Sequence, residues 1–334
     1  MRLARTLAAA LAAIVAGLAP GAAGALAAPR PIDLALRFQP HLFFDAAERW
    51  RPTDVDALLA EPGHQLCTTP ATCTPLASAA QLTGAGSYLD LRGTRLDGHD
   101  AAAPDLATCA RSASTLLDCD LGPRSVIYAH VRRGAAGIAI DYWWFLRYNA
   151  FSIDLHEGDW EGVTVIADRA GTSVRALHFA AHADVWRYPR DVARLDGGRH
   201  VRVYLARGSH AAYPRPCRLS VCHQTATGLF EARFDGRRAW VANDPRACAR
   251  RCVRLMPQAA GGAPASWNAW DGRWGRPISQ LFAPPRTPAF QARFQQPFAA
   301  RRSGRRAFSA IDSSPGITPI NVGGAALELQ SMPR

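Results

Sequence analysis

Between Val126 and Val241 the chain repeats one pattern: a short run of apolar and β-branched residues, a turn signal, then another run. The runs are Val126 to Val131, Ile138 to Tyr148, Trp160 to Asp168, Ser173 to Ala181, Val201 to Ala206, Phe230 to Phe234 and Arg238 to Val241. Asp168-Arg169-Ala170-Gly171 and Asp235-Gly236 are among the turns that separate them. Regular short strands joined by turns predict a mainly β fold, an antiparallel β-sandwich with short peripheral helices. The run Tyr142-Trp143-Trp144-Phe145 has the bulk for the middle of its core. One helical stretch is expected, from Pro52 to Leu59, with Thr53 or Asp54 as its N-cap.

The first residues bear on compartment. Arg2 and Arg5 precede an unbroken apolar run from Leu7 to Ala19, and Ala23 to Ala28 offers small residues for cleavage before Pro29. This is the pattern of a secretory signal peptide over 1–28. Pro20, Gly21 and Gly24 interrupt the run before it reaches the about 20 residues a membrane-spanning helix needs. No other segment reads as a transmembrane span, so the mature chain is expected to be secreted or periplasmic.

Eight cysteines agree with export, falling as close pairs: Cys67 with Cys73, Cys109 with Cys119, Cys217 with Cys222, and Cys248 with Cys252. An even count behind a leader favours disulfides, and none of the spacings is the knuckle of a structural zinc site. Local bridges are expected for the first two pairs, whereas Cys217, Cys222, Cys248 and Cys252 are also able to pair crosswise. Without the leader, 306 of the 334 residues remain, enough for one large β domain over 29–300. The tail, 301–334, opens with Arg301-Arg302-Ser303-Gly304-Arg305-Arg306 and reads as weakly ordered. The chain carries +12, and removing the leader's two arginines leaves +10. That balance favours anionic surfaces at long range. Nucleic acid is not expected, because the arginine tail has no interleaved aromatic platform.

Chemistry is most legible at His156-Glu157-Gly158-Asp159-Trp160-Glu161, which runs into the apolar segment Gly162 to Ile166. In a strand alternate side chains share a face, so Asp159 and Glu161 project together and His156 joins them from the preceding loop. Two carboxylates and an imidazole at one point favour a divalent cation between them. His182 and His210 each follow a strand-like run and stand where sandwich loops gather. The predicted metal set is therefore His156, Asp159, Glu161, His182 and His210. A carboxylate-rich set favours calcium or magnesium, and an imidazole-rich one zinc.

Several separated motifs resemble the vacuolar protein sorting-associated protein 62 family, whose domain has no defined biochemistry. They are Arg37-Phe38-Gln39-Pro40 with Glu48 and Pro52, Asp141 to Phe145 leading to Tyr148-Asn149, and His156 to Val165. Ala181-His182, Val203 to Ala211, and Trp267 with Gly272-Arg273-Trp274-Gly275 continue the likeness. His156 to Glu161 is also similar to the central heptapeptide of the necrosis- and ethylene-inducing peptide-like cytolysins, secreted β-sandwich proteins. There the corresponding His, Asp and Glu hold a divalent cation used in recognising sphingolipid headgroups, and the resemblance marks His156, Asp159 and Glu161. Gly158 departs from that pattern, standing where those toxins have a second histidine, and Gly162 replaces a bulkier residue.

Two functions stay open on the sequence. One is a secreted binding protein that bridges a calcium- or magnesium-type ion to an anionic lipid headgroup or a glycan. The other is a hydrolase in which a zinc-like ion on His156, Asp159 and His182 or His210 activates water, with Glu161 or Glu157 as general base. A serine hydrolase is a poor reading, because Gly208-Ser209-His210-Ala211 is no nucleophile elbow.

Overall fold

The computed structural model describes residues 28–45, 48, 50–83, 85–91, 125–149, 151, 155–181, 184–224, 230–234, 238–240, 251–257, 266–276, 283–299 and 302–303. They form a mainly β protein with a sandwich core. The strands begin β1 (His41–Phe44), β2 (Gln65–Thr69), β3 (Thr72–Pro75), β4 (Tyr88–Asp90), β5 (Ser125–Gly134), β6 (Gly137–Asn149), β7 (His156–Ala167), β8 (Val174–Ala181) and β9 (Asp184–Pro189). They continue β10 (Leu195–Asp196), β11 (His200–Leu205), β12 (Ala212–Tyr213), β13 (Cys217–Gln224), β14 (Phe230–Phe234), β15 (Arg238–Trp240), β16 (Arg251–Leu255) and β17 (Arg302–Ser303). The short helices include α1 (Pro31–Arg37), α2 (Val55–Leu59) and α3 (Ala292–Gln295).

Strands β5 to β9 make an antiparallel meander. The meander grows into a seven-stranded sheet because β16 adds to β5 and β17 to β9, both parallel. A second sheet runs β10-β11-β1-β15, with β12 on β11, and its β1–β11 pair is parallel too. The antiparallel expectation thus holds for the hairpin-linked body of the large sheet. Parallel pairs occur where a strand arrives by a long connection, which is free to enter in either direction.

The middle of the large sheet is buried on both faces, and for this reason β6 does not alternate apolar with polar residues. Tyr142, Trp144, Leu146, Val163 and Val165 pack against Leu34 of α1, Phe38, Leu42 and Phe44 of β1, and Val203 of β11. On the opposite face Trp143, Phe145 and Trp160 meet Leu58 and Leu59 of α2, Leu89 of β4, Trp267 and Trp274. Trp160 and Trp267 stack with ring centres 5.4 Å apart, and Trp274 meets Trp160 edge-on at 5.5 Å.

Local chemistry sets the helix ends. Thr53 is held extended by its N–H to Phe145 O at 2.8 Å, so of the two expected caps it is Asp54 that opens α2. Asp54 caps it, accepting from Asp56 N at 3.1 Å. Helix α1 escaped the sequence reading, although Pro31 at its start, Asp33 in its first turn and Arg37 in its last suit a helix and its dipole. The Cys67–Cys73 disulfide forms directly across the β2–β3 hairpin. Cys252 is disulfide-bonded as well. Cys109, Cys119, Cys248, nearly all of the leader and most of the tail lie outside the described residues. Arg302 and Ser303 of the tail pair with Trp186 and Arg187. Among the described residues no helix is long and apolar enough to cross a membrane.

The β7–β8 turn gives a local test of this account. Asp168 accepts from Ser173 Oγ at 2.6 Å, Thr172 Oγ1 at 2.7 Å and Thr172 N at 2.8 Å. The Ser173 hydroxyl foremost, then Thr172, holds the carboxyl well below the usual carboxylate range. Asp168→Ala is expected to cost about 1 kcal/mol in chemical denaturation, the scale of a lost capping carboxylate. A folded-state pKa below the unfolded one means the stabilisation is complete above about pH 4 and fades as pH falls below it. The difference between wild type and Asp168→Ala should therefore shrink in acid.

Candidate functional site

The motif His156 to Glu161 is strand, not loop: β7 begins at His156 and pairs with β6 from the first residue, His156 opposite Asn149. Gly158 makes this possible. Its φ is +60, and an ideal Cβ there would lie 1.6 Å from Trp274 O, so only glycine lets the segment after Trp270 approach this closely. The side chains on its two sides take different surroundings. Glu157 Oε2 accepts from Leu91 N at 3.2 Å and Arg276 N at 3.0 Å. Asp159 instead meets His210.

His210 comes from the turn after β11, and β12, which follows, lies against β7 and β8. The turn closes through His210 N to Ala206 O at 2.9 Å and Ala206 N to Ala211 O at 3.0 Å. His210 has φ 58, the left-handed region, which for a residue other than glycine is strain of the kind found at functional positions. Its Nδ1–H donates to Asp159 Oδ2 at 2.9 Å. Its Nε2 stands 3.5 Å from Glu48 Oε1, an ion-pair distance too loose for a good hydrogen bond. Glu48 is fixed in turn by Trp50 N at 2.9 Å and Gly208 N at 2.8 Å.

The result is a carboxylate–imidazole–carboxylate array with His210 fully buried, Glu48 3% and Asp159 5% exposed. Burial lowers the His210 pKa, but Glu48 first and then Asp159 outweigh it and push the ring up to about 9. Burial likewise raises Glu48, and His210 with the two backbone N–H groups overcomes that and holds the carboxyl below its usual range. At neutral pH the ring is an imidazolium, and part of the cation that the sequence demanded is supplied by the protein itself.

Glu161 and Asp159 lie two residues apart on β7, opposite Trp144 and Leu146, which face the sandwich core. Glu161 is 5% exposed. Arg293 of α3, also buried, is near enough for Asp141 and Glu161 both to raise its pKa against the larger effect of burial. Its Nη1 lies 3.6 Å from Asp141 Oδ1, and its guanidinium carbon lies 3.6 Å from the centre of the Trp143 ring. Asp141 also accepts from Thr164 Oγ1 at 2.7 Å and Trp143 Nε1 at 2.6 Å. His156 Nδ1 lies 2.8 Å from Gly158 O; a carbonyl only accepts, so Nδ1 carries the proton and Nε2 is the ligand-capable nitrogen.

The structure therefore joins Asp159 directly to His210, places Glu161 next along β7, and sets His156 at the start of the same strand. His182 lies outside the described residues. Glu48 was not among the expected site residues, although it stood in the opening segment that carried the family resemblance. Arg293 had no sequence signal at all. Among the described residues, the one group of three or more His, Cys, Asp or Glu whose ligand atoms lie within 4.8 Å of one another is Cys67, Cys73 and Asp90. Its two sulfurs form the disulfide, so it offers no thiolates to a metal. The donor atoms around Asp159 are thus more widely spaced than a closed coordination sphere.

No protein-family model matches the chain, so the vacuolar protein sorting-associated protein 62 resemblance stands on its motifs alone. No curated protein matches either. Among solved structures, one described as a toxin fold for microbial attack and plant defense is 21% identical, covering 56% of this chain and 71% of that one with a TM-score of 0.33. A necrosis- and ethylene-inducing protein 2 from the causal agent of cocoa's witches' broom disease is 18% identical over 56% of this chain and 68% of its own, with a TM-score of 0.31. NLPPya in complex with glucosamine is 20% identical over 56% and 69%, with a TM-score of 0.33. Such low scores carry no argument about what this chain binds or does.

Proposed function

We propose that the chain is an exported β-sandwich protein that binds a divalent cation at the start of β7 and uses it to hold an oxygen-rich ligand at an extracellular surface, a lipid headgroup or a glycan. The observation that carries this reading is a gathering of buried carboxylates. Glu48, Asp159 and Glu161 are each no more than 5% exposed, and Glu48 and Asp159 share the His210 imidazolium. Arg293 is shared with Asp141. Carboxylates gathered in a low-dielectric site favour a cation among them.

The donors fit a hard ion. Asp159, through the oxygen not facing His210, and Glu161 would hold it, with His156 Nε2 as the nitrogen donor. Oxygen predominance favours calcium or magnesium over zinc. Such an ion supplies coordination positions for hydroxyl or phosphate oxygens of a ligand. His210 positions Asp159 and does not hold the ion, since both its nitrogens face carboxylates. The hydrolase alternative has less support for that reason, and because Glu157 is engaged by Leu91 and Arg276. Export is supported by the leader pattern and the Cys67–Cys73 bridge.

The test is surface binding with and without calcium. Sedimentation with phosphatidylserine vesicles, with phosphatidylcholine vesicles and with an immobilised acidic polysaccharide should show binding to one surface that chelation abolishes and Glu161→Gln weakens about tenfold or more. Binding that survives chelation and falls only with salt would reduce the effect to the +10 charge, and would contradict the proposal, as would binding to none of the three.

A further inference from the structure

The outer face of the smaller sheet carries a second arrangement, independent of β7. Leu42 and Phe44 of β1 and Val201 and Val203 of β11 point into the core, which turns His41, His200 and Arg202 to the other side. There the His41 and His200 rings lie parallel, 5° apart in plane with centres 5.0 Å apart. His41 Nδ1 is 2.8 Å from Asp196 Oδ2, and His200 Nδ1 is 3.0 Å from Gln39 O. An ionised carboxylate and a backbone carbonyl only accept, so both rings carry their proton on Nδ1 and both keep a lone pair on Nε2. A carboxylate behind one imidazole and a carbonyl behind the other is the supporting shell of metal-binding histidines.

We propose that His41 and His200 form a solvent-facing two-imidazole site for a borderline divalent transition-metal ion, with copper(II) the best fit and nickel and zinc weaker. Asp196 is held rigid for its task by Arg202, whose Nε and Nη2 reach Oδ1 at 2.8 Å and 2.7 Å. Arg202 also lies over the Phe43 ring at 5.1 Å, so its charge is spent on groups already present. An ion bound to both Nε2 atoms lies in the plane of each ring, so binding turns the two rings out of their parallel arrangement toward a common point. The His41 side chain is 17% exposed, which leaves further coordination positions to water or an incoming ligand. Copper heads the affinity order for nitrogen donors, whereas calcium and magnesium take oxygen, so this site and the one on β7 select different ions.

Copper(II) titrated into the full chain near neutral pH, followed by calorimetry and electron paramagnetic resonance, tests the assignment. One site with imidazole nitrogen couplings is expected. His41→Gln and His200→Gln should each weaken it at least about tenfold, and Asp196→Asn by about 10- to 100-fold. Asp159→Asn should leave it unchanged. Circular dichroism on each variant confirms that the sheet is intact, since both histidines are half-buried. The proposal is overturned if wild type binds no copper, if the folded double variant His41→Gln/His200→Gln binds as before, or if Asp159→Asn removes the signal.

Discussion

Gly158→Ala is expected to lower stability by about 4 kcal/mol or more, one of the largest single-methyl effects the chain offers. A left-handed conformation costs an alanine about 1 to 2 kcal/mol by itself. The added Cβ would also stand 1.6 Å from Trp274 O and 2.7 Å from Trp274 C, and backbone atoms cannot rotate away as a side-chain tip does. Trp274 is fully buried, with Phe145 and Trp160 5.0 Å and 5.5 Å from its ring. Pushing it out forfeits aromatic burial worth about 3 to 5 kcal/mol. Urea unfolding with near-ultraviolet circular dichroism measures both losses. A change under about 1 kcal/mol would show that the Trp274 segment does not sit against β7 as described.

Removing the His210 ring should be nearly as severe. His210→Ala leaves Glu48 and Asp159 buried without their shared cation, and breaking a buried pair from one side costs about 3 to 5 kcal/mol. The cost should not add to that of Asp159→Asn. With His210 gone, neutralising Asp159 relieves an uncompensated carboxylate, so the double variant should be more stable than the sum of the single losses implies. A double-mutant cycle in urea that gives simple additivity would mean the 2.9 Å contact between Nδ1 and Oδ2 carries no coupling.

The sequence made the large sheet legible because its strands are long, apolar and joined by turns. Phe230–Phe234 was placed to the residue, and the ends of β5, β6, β8, β11 and β15 fell within a few residues. Other strands were missed for physical reasons. β3 exposes most of its residues, and β2 fully buries Cys67 alone, so neither shows an alternation that announces a strand. β1 and β16 are short and pair with segments far away in sequence, which no local window senses. The start of β7 does not look like strand in the sequence, because His-Glu-Gly-Asp has no apolar alternation; its pairing depends on Gly158 and on Trp274, more than a hundred residues later.

At the site, strand alternation correctly put Asp159 and Glu161 on one face. What it could not supply was the compensating charge. Glu48 and His210 meet only through the fold, as do Arg293 and Asp141, so the sequence pointed to a metal for all of the neutralisation when the chain provides part of it.

The central claim is that the carboxylates at the start of β7 take a hard divalent ion in addition to the His210 imidazolium. Calorimetric titration with calcium and magnesium addresses it directly, on wild type, Glu161→Gln and Asp159→Asn, all in a His41→Gln/His200→Gln background that removes the imidazole pair. Glu161→Gln is the sharper variant, because it leaves the Asp159–His210 contact in place. The account predicts one-site binding of calcium or magnesium in the background protein and a drop of about tenfold or more in each variant. Equal heats in all three proteins, or none in any, would contradict it and leave the Glu48–His210–Asp159 array as a structural ion network alone.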